Sequence, residues 1–194
     1  MIITAFDLAT ATGVCDGSIG GAPRIWSWYL SDGGRSRPAR LLYLRRFLCA
    51  YFKEQPCDGV VYELPMSLGV MTQQGPRREG QHGNKRMMMS EQNVAFARGA
   101  VGVLEMTCEE FKKPVEGLAV QDARHCVLGW RINNKKKSNE DTKTRVFREV
   151  TKVHGVHAEN DNETDAWVLW AFAAARCNPR LALAYTPLFR GEFA

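Results

Sequence analysis

Three acidic residues each stand at the edge of an apolar segment: Asp7 closes IITAFD, Glu63 closes GVVYE just before Pro65, and Asp165 opens the apolar run from Ala166 to Ala175. A carboxylate against a core is costly unless its charge is compensated. Three such groups brought together repel one another unless a cation sits among them. Each has a plainer use by itself: Asp7 as a turn former or cap, Asp165 as a first-turn acid complementing the helix dipole, Glu63 as a structural group. Val60, Val61 and Tyr62 leave little solvent for a charge on Glu63, however, and the joint occurrence of all three acids points to a shared metal site.

The hydrophobic pattern says how these segments are ordered. Ile2 to Leu8 predicts a strand, Ala11 to Asp16 a second after a Thr-rich turn, and Arg24 to Leu30 a third, in which Ile25, Ser27 and Tyr29 alternate with Trp26, Trp28 and Leu30. Three successive strands imply an antiparallel meander. From Pro38 to Phe52 the residues Leu41, Leu44, Phe47, Leu48 and Tyr51 recur at helical spacing. A short buried strand then ends at Glu63, and the strand–helix–strand order predicts a parallel crossover that sets Glu63 beside the first strand. Residues 66–89 have no period and several glycines, and read as a long loop. A helix is expected from an N-cap at Ser90 to Phe111, with Pro114 beyond it. A final strand over 115–120, a short helix over 122–128, a lysine-rich connection over 131–140, a helix over 142–153 and a last helix from about 162–164 to Ala175 complete the pattern.

With 194 residues, 45% of them hydrophobic, the chain can bury one core, expected over 1–178 as a single domain with 179–194 as a C-terminal tail. The formal charge of +5 favours a polyanionic partner even though the proposed site is acidic, a combination suited to a nuclease. The six cysteines show no C-x-x-C pair or zinc-knuckle spacing, and no leader pattern precedes Asp7, so a reducing cytoplasm is the expected compartment. No apolar run approaches the roughly 20 residues that span a bilayer.

An Asp closing the first strand (Asp7), a glycine-containing second strand (Gly13), a Glu ending a buried strand (Glu63), and a closing helix that opens with an acidic cluster and Asp165-Ala166 together resemble the RuvC branch of the RNase H-like superfamily. The RuvC-like Holliday junction resolvases of bacteriophages are the nearest group. The resemblance spans about residues 2–176. It implies an α/β, RNase H-like fold with a five-stranded mixed sheet, its first three strands antiparallel and helices on both faces. It also implies a homodimer and cleavage of branched DNA dependent on two Mg²⁺ or Mn²⁺ ions, leaving 5′-phosphate and 3′-hydroxyl ends. The catalytic and metal-binding set it implies is Asp7, Glu63, Asp165 and a fourth group near the start of the last helix.

That fourth group departs from the common RuvC pattern, in which an Asp or His stands three positions before the final Asp; Asn162 occupies the place here. Asp161 lies four positions before, and both spacings share a helix face with Asp165. Divalent cations prefer anionic oxygen but accept an amide oxygen. Asp161 is favoured over Asn162, and Glu163 is assigned to the helix N-terminus.

Two basic runs offer contacts to nucleic-acid phosphates: Arg77, Arg78, Lys85 and Arg86 after Glu63, and Lys135, Lys136, Lys137 and Lys143 further on. Either run is also compatible with a solvated surface. Gln73, Gln74, Met66, Met71 and Met87 to Met89 could reach unstacked bases at a branch point, or the methionines could pack between subunits of a dimer joined through the start of the Ser90 to Phe111 helix. His154 and His157 read as surface residues, Trp167 and Trp170 as core. Two other functions compete with junction resolution: a noncatalytic branched-DNA-binding module, and an RNase H-type nuclease acting on RNA–DNA hybrids.

Overall fold

The computed structural model describes residues 1–34, 36–65, 91–129 and 142–180. Strands β1 (Ile2–Asp7), β2 (Ala11–Ser18) and β3 (Arg24–Tyr29) form the expected antiparallel meander. β3 ends one residue before the sequence pattern suggests, because the buried Leu30 opens a 3-10 turn over Leu30–Gly33. Helix α1 (Arg37–Glu54) starts where the Ser36 side chain accepts a hydrogen bond from Ala39 N and Pro38 fits the first turn. Strand β4 (Gly59–Glu63) then pairs parallel with β1, Phe6 facing Tyr62 in register.

Helix α2 (Glu91–Glu110) leads to β5 (Val115–Leu118), which pairs parallel with β4. The last strand does not reach Val120 as the apolar pattern implies. Ala119 leaves the sheet and Val120 opens helix α3 (Val120–Leu128), which Gly129 terminates at φ 73°, a left-handed conformation suited to glycine. Helix α4 (Thr142–Arg148) widens into a π-type turn over Glu149–Val153, and α5 runs over Asp161–Cys177. Among the described residues the five strands make one mixed sheet in the order β3-β2-β1-β4-β5.

Side chains alternate across a strand, and this period divides the core in two. Ile3 and Ala5 of β1, with Cys15, Val61 and Leu118, face a cluster built from α3, α4 and α5. Phe6, Leu8, Val14, Val60 and Tyr62 face α1 and α2 on the other side. Helix α5 packs on β1 and β2 and against α3, so nearly its whole circumference from Glu163 to Ala175 is buried. Trp167 and Trp170 lie in this core as their apolar surroundings predict, and the His154 ring packs against Trp167 at 4.9 Å, tilted by 52°, instead of standing free on the surface. All six cysteines are free thiols. Among the described residues no helix is long and apolar enough to cross a membrane.

Candidate functional site

Because Phe6 pairs with Tyr62, the next residues, Asp7 and Glu63, emerge side by side at the C-terminal ends of two parallel strands. Strand alternation turns both toward the face that carries α5. Gly13 sits opposite Asp7 in β2 and lets the start of α5 come down onto the sheet: a Cβ there would lie 2.0 Å from the Asn162 carbonyl oxygen and 3.0 Å from Glu163 N. The helix start is fixed by a reciprocal cap. Asn160 Oδ1 accepts from Glu163 N at 3.1 Å, while Glu163 accepts from Glu159 N at 2.7 Å and from Asn160 Nδ2 at 3.0 Å. Asn160 Nδ2 also donates to Ser27 Oγ in β3 at 2.8 Å. Glu163 thus has the helix-terminal role its sequence position suggests, and Asp165 is delivered one turn in, over the strand ends.

Asp7, Glu63, Asp165 and Asn162 line one cleft of about 230 Å³, together with Arg124 of α3, Lys143 of α4, and Val94, Ala97 and Val101 of α2. Its electrostatics are strained. Burial pushes Asp7 well above the ordinary carboxylate range, and the charges of Glu63 and Asp165 push it further. Glu63 is raised by burial first and by Asp165 second, with Arg124 and a hydrogen bond from Asp7 working against the rise. A proton shared between Asp7 and Glu63 is the expected response of two buried acids at close range.

The protein also brings two cations of its own. Arg124 Nη2 donates to Asp165 Oδ1 at 2.7 Å, and the two side chains are only 9% and 6% exposed. Lys143 donates to Asp161 at the rim of the cleft. Burial opposes the charge on each of that pair, yet their mutual attraction lowers Asp161 and raises Lys143.

The expected acids Asp7, Glu63 and Asp165 therefore converge. Asp161 stands at the rim, its side chain 36% exposed, and Asn162 rather than Asp161 lines the cleft. Lys143, expected on a phosphate-binding run, pairs with Asp161 and lines the cleft. Arg77, Arg78, Lys85, Arg86, Lys135, Lys136 and Lys137 lie outside the described residues, as do Gln73, Gln74, Ser90 and the methionines of 66–89. Among the described residues no three His, Cys, Asp or Glu side chains are gathered into a ready metal-binding group, since Asp165 is turned to Arg124 and Asp161 to Lys143. The donor chemistry nevertheless suits a hard divalent cation: anionic oxygens from separate elements, two of them raised in proton affinity by burial and then by neighbouring negative charge that a cation would relieve.

No protein-family model matches the chain, and no curated protein matches it by sequence. Solved structures do. A Thermus thermophilus RuvC in complex with a Holliday junction substrate superposes with a TM-score of 0.57 at 10% identity, covering 91% of this chain and 95% of that one. A second Thermus thermophilus RuvC structure gives 0.52 at 12% identity, covering 91% and 97%. The chain has the RNase H-like fold of the RuvC resolvases. The yeast mitochondrial Holliday junction resolvase Ydc2 also superposes, with a TM-score of 0.50 at 8% identity over 95% of this chain and 84% of its own.

Within this RuvC-type fold the residue that the sequence pattern hides is Arg124. Val120, Ala123, Arg124, Val127 and Leu128 follow the i, i+3, i+4, i+7, i+8 spacing of a core-facing stripe. A guanidinium in such a stripe needs a buried anion, and that mismatch was the available signal.

Proposed function

We propose that this chain is a divalent-metal-dependent, structure-selective endonuclease that hydrolyses phosphodiesters in branched DNA, four-way junctions above all. The observation that carries the proposal is the convergence of Asp7, Glu63 and Asp165 at the ends of β1 and β4, in a fold shared with RuvC and Ydc2. Asp7, Glu63 and Asp165, with Asp161 at the rim, are the residues that would hold a pair of Mg²⁺ or Mn²⁺ ions. Such ions, when bound, activate a water and stabilise the leaving 3′-oxygen, so no protein nucleophile is needed and the ends are 5′-phosphate and 3′-hydroxyl.

The chain's own residues supply the rest. The raised proton affinities of Asp7 and Glu63 mark them as the carboxylates whose charge a cation would balance, and the α2 residues Val94, Ala97 and Val101 wall the cleft with apolar surface that limits water. Lys143 contributes a positive charge beside the path of the substrate backbone. The segments carrying Arg77, Arg78, Lys85, Arg86, Lys135, Lys136 and Lys137 add phosphate contacts, residues 1–178 form the nuclease unit with 179–194 as a tail, and the working form is a homodimer that nicks a junction symmetrically.

The test is cleavage of a four-way junction, a flap, a plain duplex and an RNA–DNA hybrid with Mg²⁺, with Mn²⁺ and with EDTA. Metal-dependent nicking strongest on the junction is expected. The ion pairs on Asp165 and Asp161 favour one competing reading, a module that binds branched DNA without cutting it. Tight junction binding with no cleavage in either metal would establish that reading, and preference for the hybrid would make the enzyme an RNase H-type nuclease.

A further inference from the structure

We infer that Arg124 is a built-in counter-ion with two alternative partners, Asp165 in the free protein and a phosphate of the nucleic acid in the complex, and that this exchange couples DNA binding to cation binding. The inference rests on the metal-dependent reading above and adds a positioning residue to it.

A buried guanidinium offers five donors and is stable only when they are satisfied. The chain shows elsewhere how it satisfies one. Arg24 places Nε and Nη2 on both oxygens of the buried Asp16, at 2.9 and 2.6 Å, a bidentate pair that leaves the carboxylate fully engaged. Arg124 is treated differently. It reaches Asp165 through Nη2 alone, and its buried Nε has no hydrogen-bond partner among the described residues. It is far more deeply buried than Arg24, whose side chain is 63% exposed, so the missing bond cannot be made to bulk solvent as easily. Arg124 lines the same cleft as Asp7 and Glu63. A guanidinium turned from Asp165 toward that cleft would present its planar fork, which matches two oxygens of an entering phosphate.

The consequence concerns Asp165. While Arg124 holds it, this carboxylate is neutralised and any divalent cation competes with the guanidinium for it. When a phosphate takes Arg124, Asp165 is released as an anionic ligand. DNA must then strengthen cation binding, and by linkage the cation must strengthen DNA binding by the same factor.

Mn²⁺ titration calorimetry on the full chain tests this without reference to cleavage. Arg124→Gln should bind Mn²⁺ about tenfold more tightly than wild type when no DNA is present, because the competing charge is gone. Arg124→Lys should keep the weaker wild-type affinity. Stopped-flow binding of a fluorescent four-way junction, read before cleavage, should be tightened roughly tenfold by Mn²⁺ in wild type and much less in Arg124→Gln. If Arg124→Gln lowers stability, Mn²⁺ should raise its melting temperature more than that of wild type. Equal or weaker Mn²⁺ binding by Arg124→Gln, undiminished coupling to the junction, or a variant that stays unfolded at saturating Mn²⁺ would overturn the inference and make Arg124 a structural prop for Asp165. Failure of wild type to bind Mn²⁺ with or without the junction would instead remove the metal-dependent reading itself, and the inference with it.

Discussion

Two clusters of buried charge lie on opposite faces of one sheet, and they are built to opposite standards. On the α1 side, Asp16 accepts two hydrogen bonds from Arg24 and a third from Tyr51 Oη at 2.6 Å, while Tyr51 also meets Thr4 Oγ1 at 3.0 Å and Arg24 meets Gln55 at 2.9 Å. On the α5 side, burial and neighbouring negative charge raise the proton affinities of Asp7 and Glu63, Asp165 has one arm of Arg124, and Arg124 Nε has no partner among the described residues. The first cluster is complete within the protein; the second is complete only with something added. Full satisfaction marks buried polar groups that serve the fold, and a shortfall in an otherwise well-packed core marks those that serve function.

Substitutions can break this contrast, and the largest effect belongs to the incomplete cluster. Asp7→Asn, Glu63→Gln or Asp165→Asn should each reduce junction cleavage by roughly 10²–10³-fold or more, with junction binding kept or tightened because an anion near the phosphates is gone. Gel-shift and single-turnover assays on the same preparations would check it, and near-normal cleavage in any one variant would remove that residue from the site.

Gly13→Ala comes next, because it joins the two halves of the contrast. Its Cβ would collide with the backbone of Asn162, so α5 must lift from β2, at a cost of about 1–3 kcal/mol and with Asp165 carried away from Asp7. Chemical denaturation and cleavage should both report the change, with the loss of rate exceeding what the unfolded fraction explains.

Asp16→Ala should do the reverse of the cleft substitutions. It strands the Tyr51 hydroxyl and the Arg24 fork, lowering stability by about 2–3 kcal/mol, while the folded fraction cleaves at the normal rate. A specific loss of rate in well-folded Asp16→Ala protein would mean that the two faces are not independent.

Smaller effects sharpen the comparison inside the cleft. Asp161→Asn should slow cleavage several-fold more than Asn162→Ala, and the opposite ranking would transfer the fourth ligand position to Asn162.

In metal-free buffer, acidity should separate the clusters as well. Asp7 titrates above its unfolded value, so its contribution to stability is fully present below about pH 4 and is lost as pH rises through the higher folded value. Asp7→Asn should therefore melt a few degrees above wild type at about pH 8, with the gap closing toward about pH 4. A gap that does not vary with pH would show that burial and repulsion do not act on Asp7 as described.

The sequence made one cluster legible and hid the other. Asp7, Glu63 and Asp165 were visible because each interrupts a simple apolar period, and pairing β1 with β4 follows from a short connection rule that needs no tertiary detail. Asp16 gave no such signal, since an acid near the end of a strand is ordinary, and its partners Arg24 and Tyr51 come from two other elements. The pairing of Arg124 and Lys143 with the acids stayed hidden for a related reason. Their sequence neighbourhoods read as a short amphipathic helix and a basic run, and only the docking of α3 and α4 beside α5 turns them toward the acids. Periodicity reports which face of an element is buried, but not which elements meet there.

The order in which the cleft is assembled along the chain has a consequence during synthesis. Asp7 emerges near the start and Glu63 soon after, but Asp165 lies on the last long helix, whose seat on β1 and β2 is the most sequence-distant packing in the fold. Until α5 has left the ribosome and found Gly13, the nascent polypeptide has two of the three convergent acids and no cap over the strand ends. Domains fold as units during translation, and here the cleft closes only when α5 is added. Growing chains that stop before Asp165 lack one of the three convergent acids, so arrest of synthesis there should yield polypeptides that do not cut DNA.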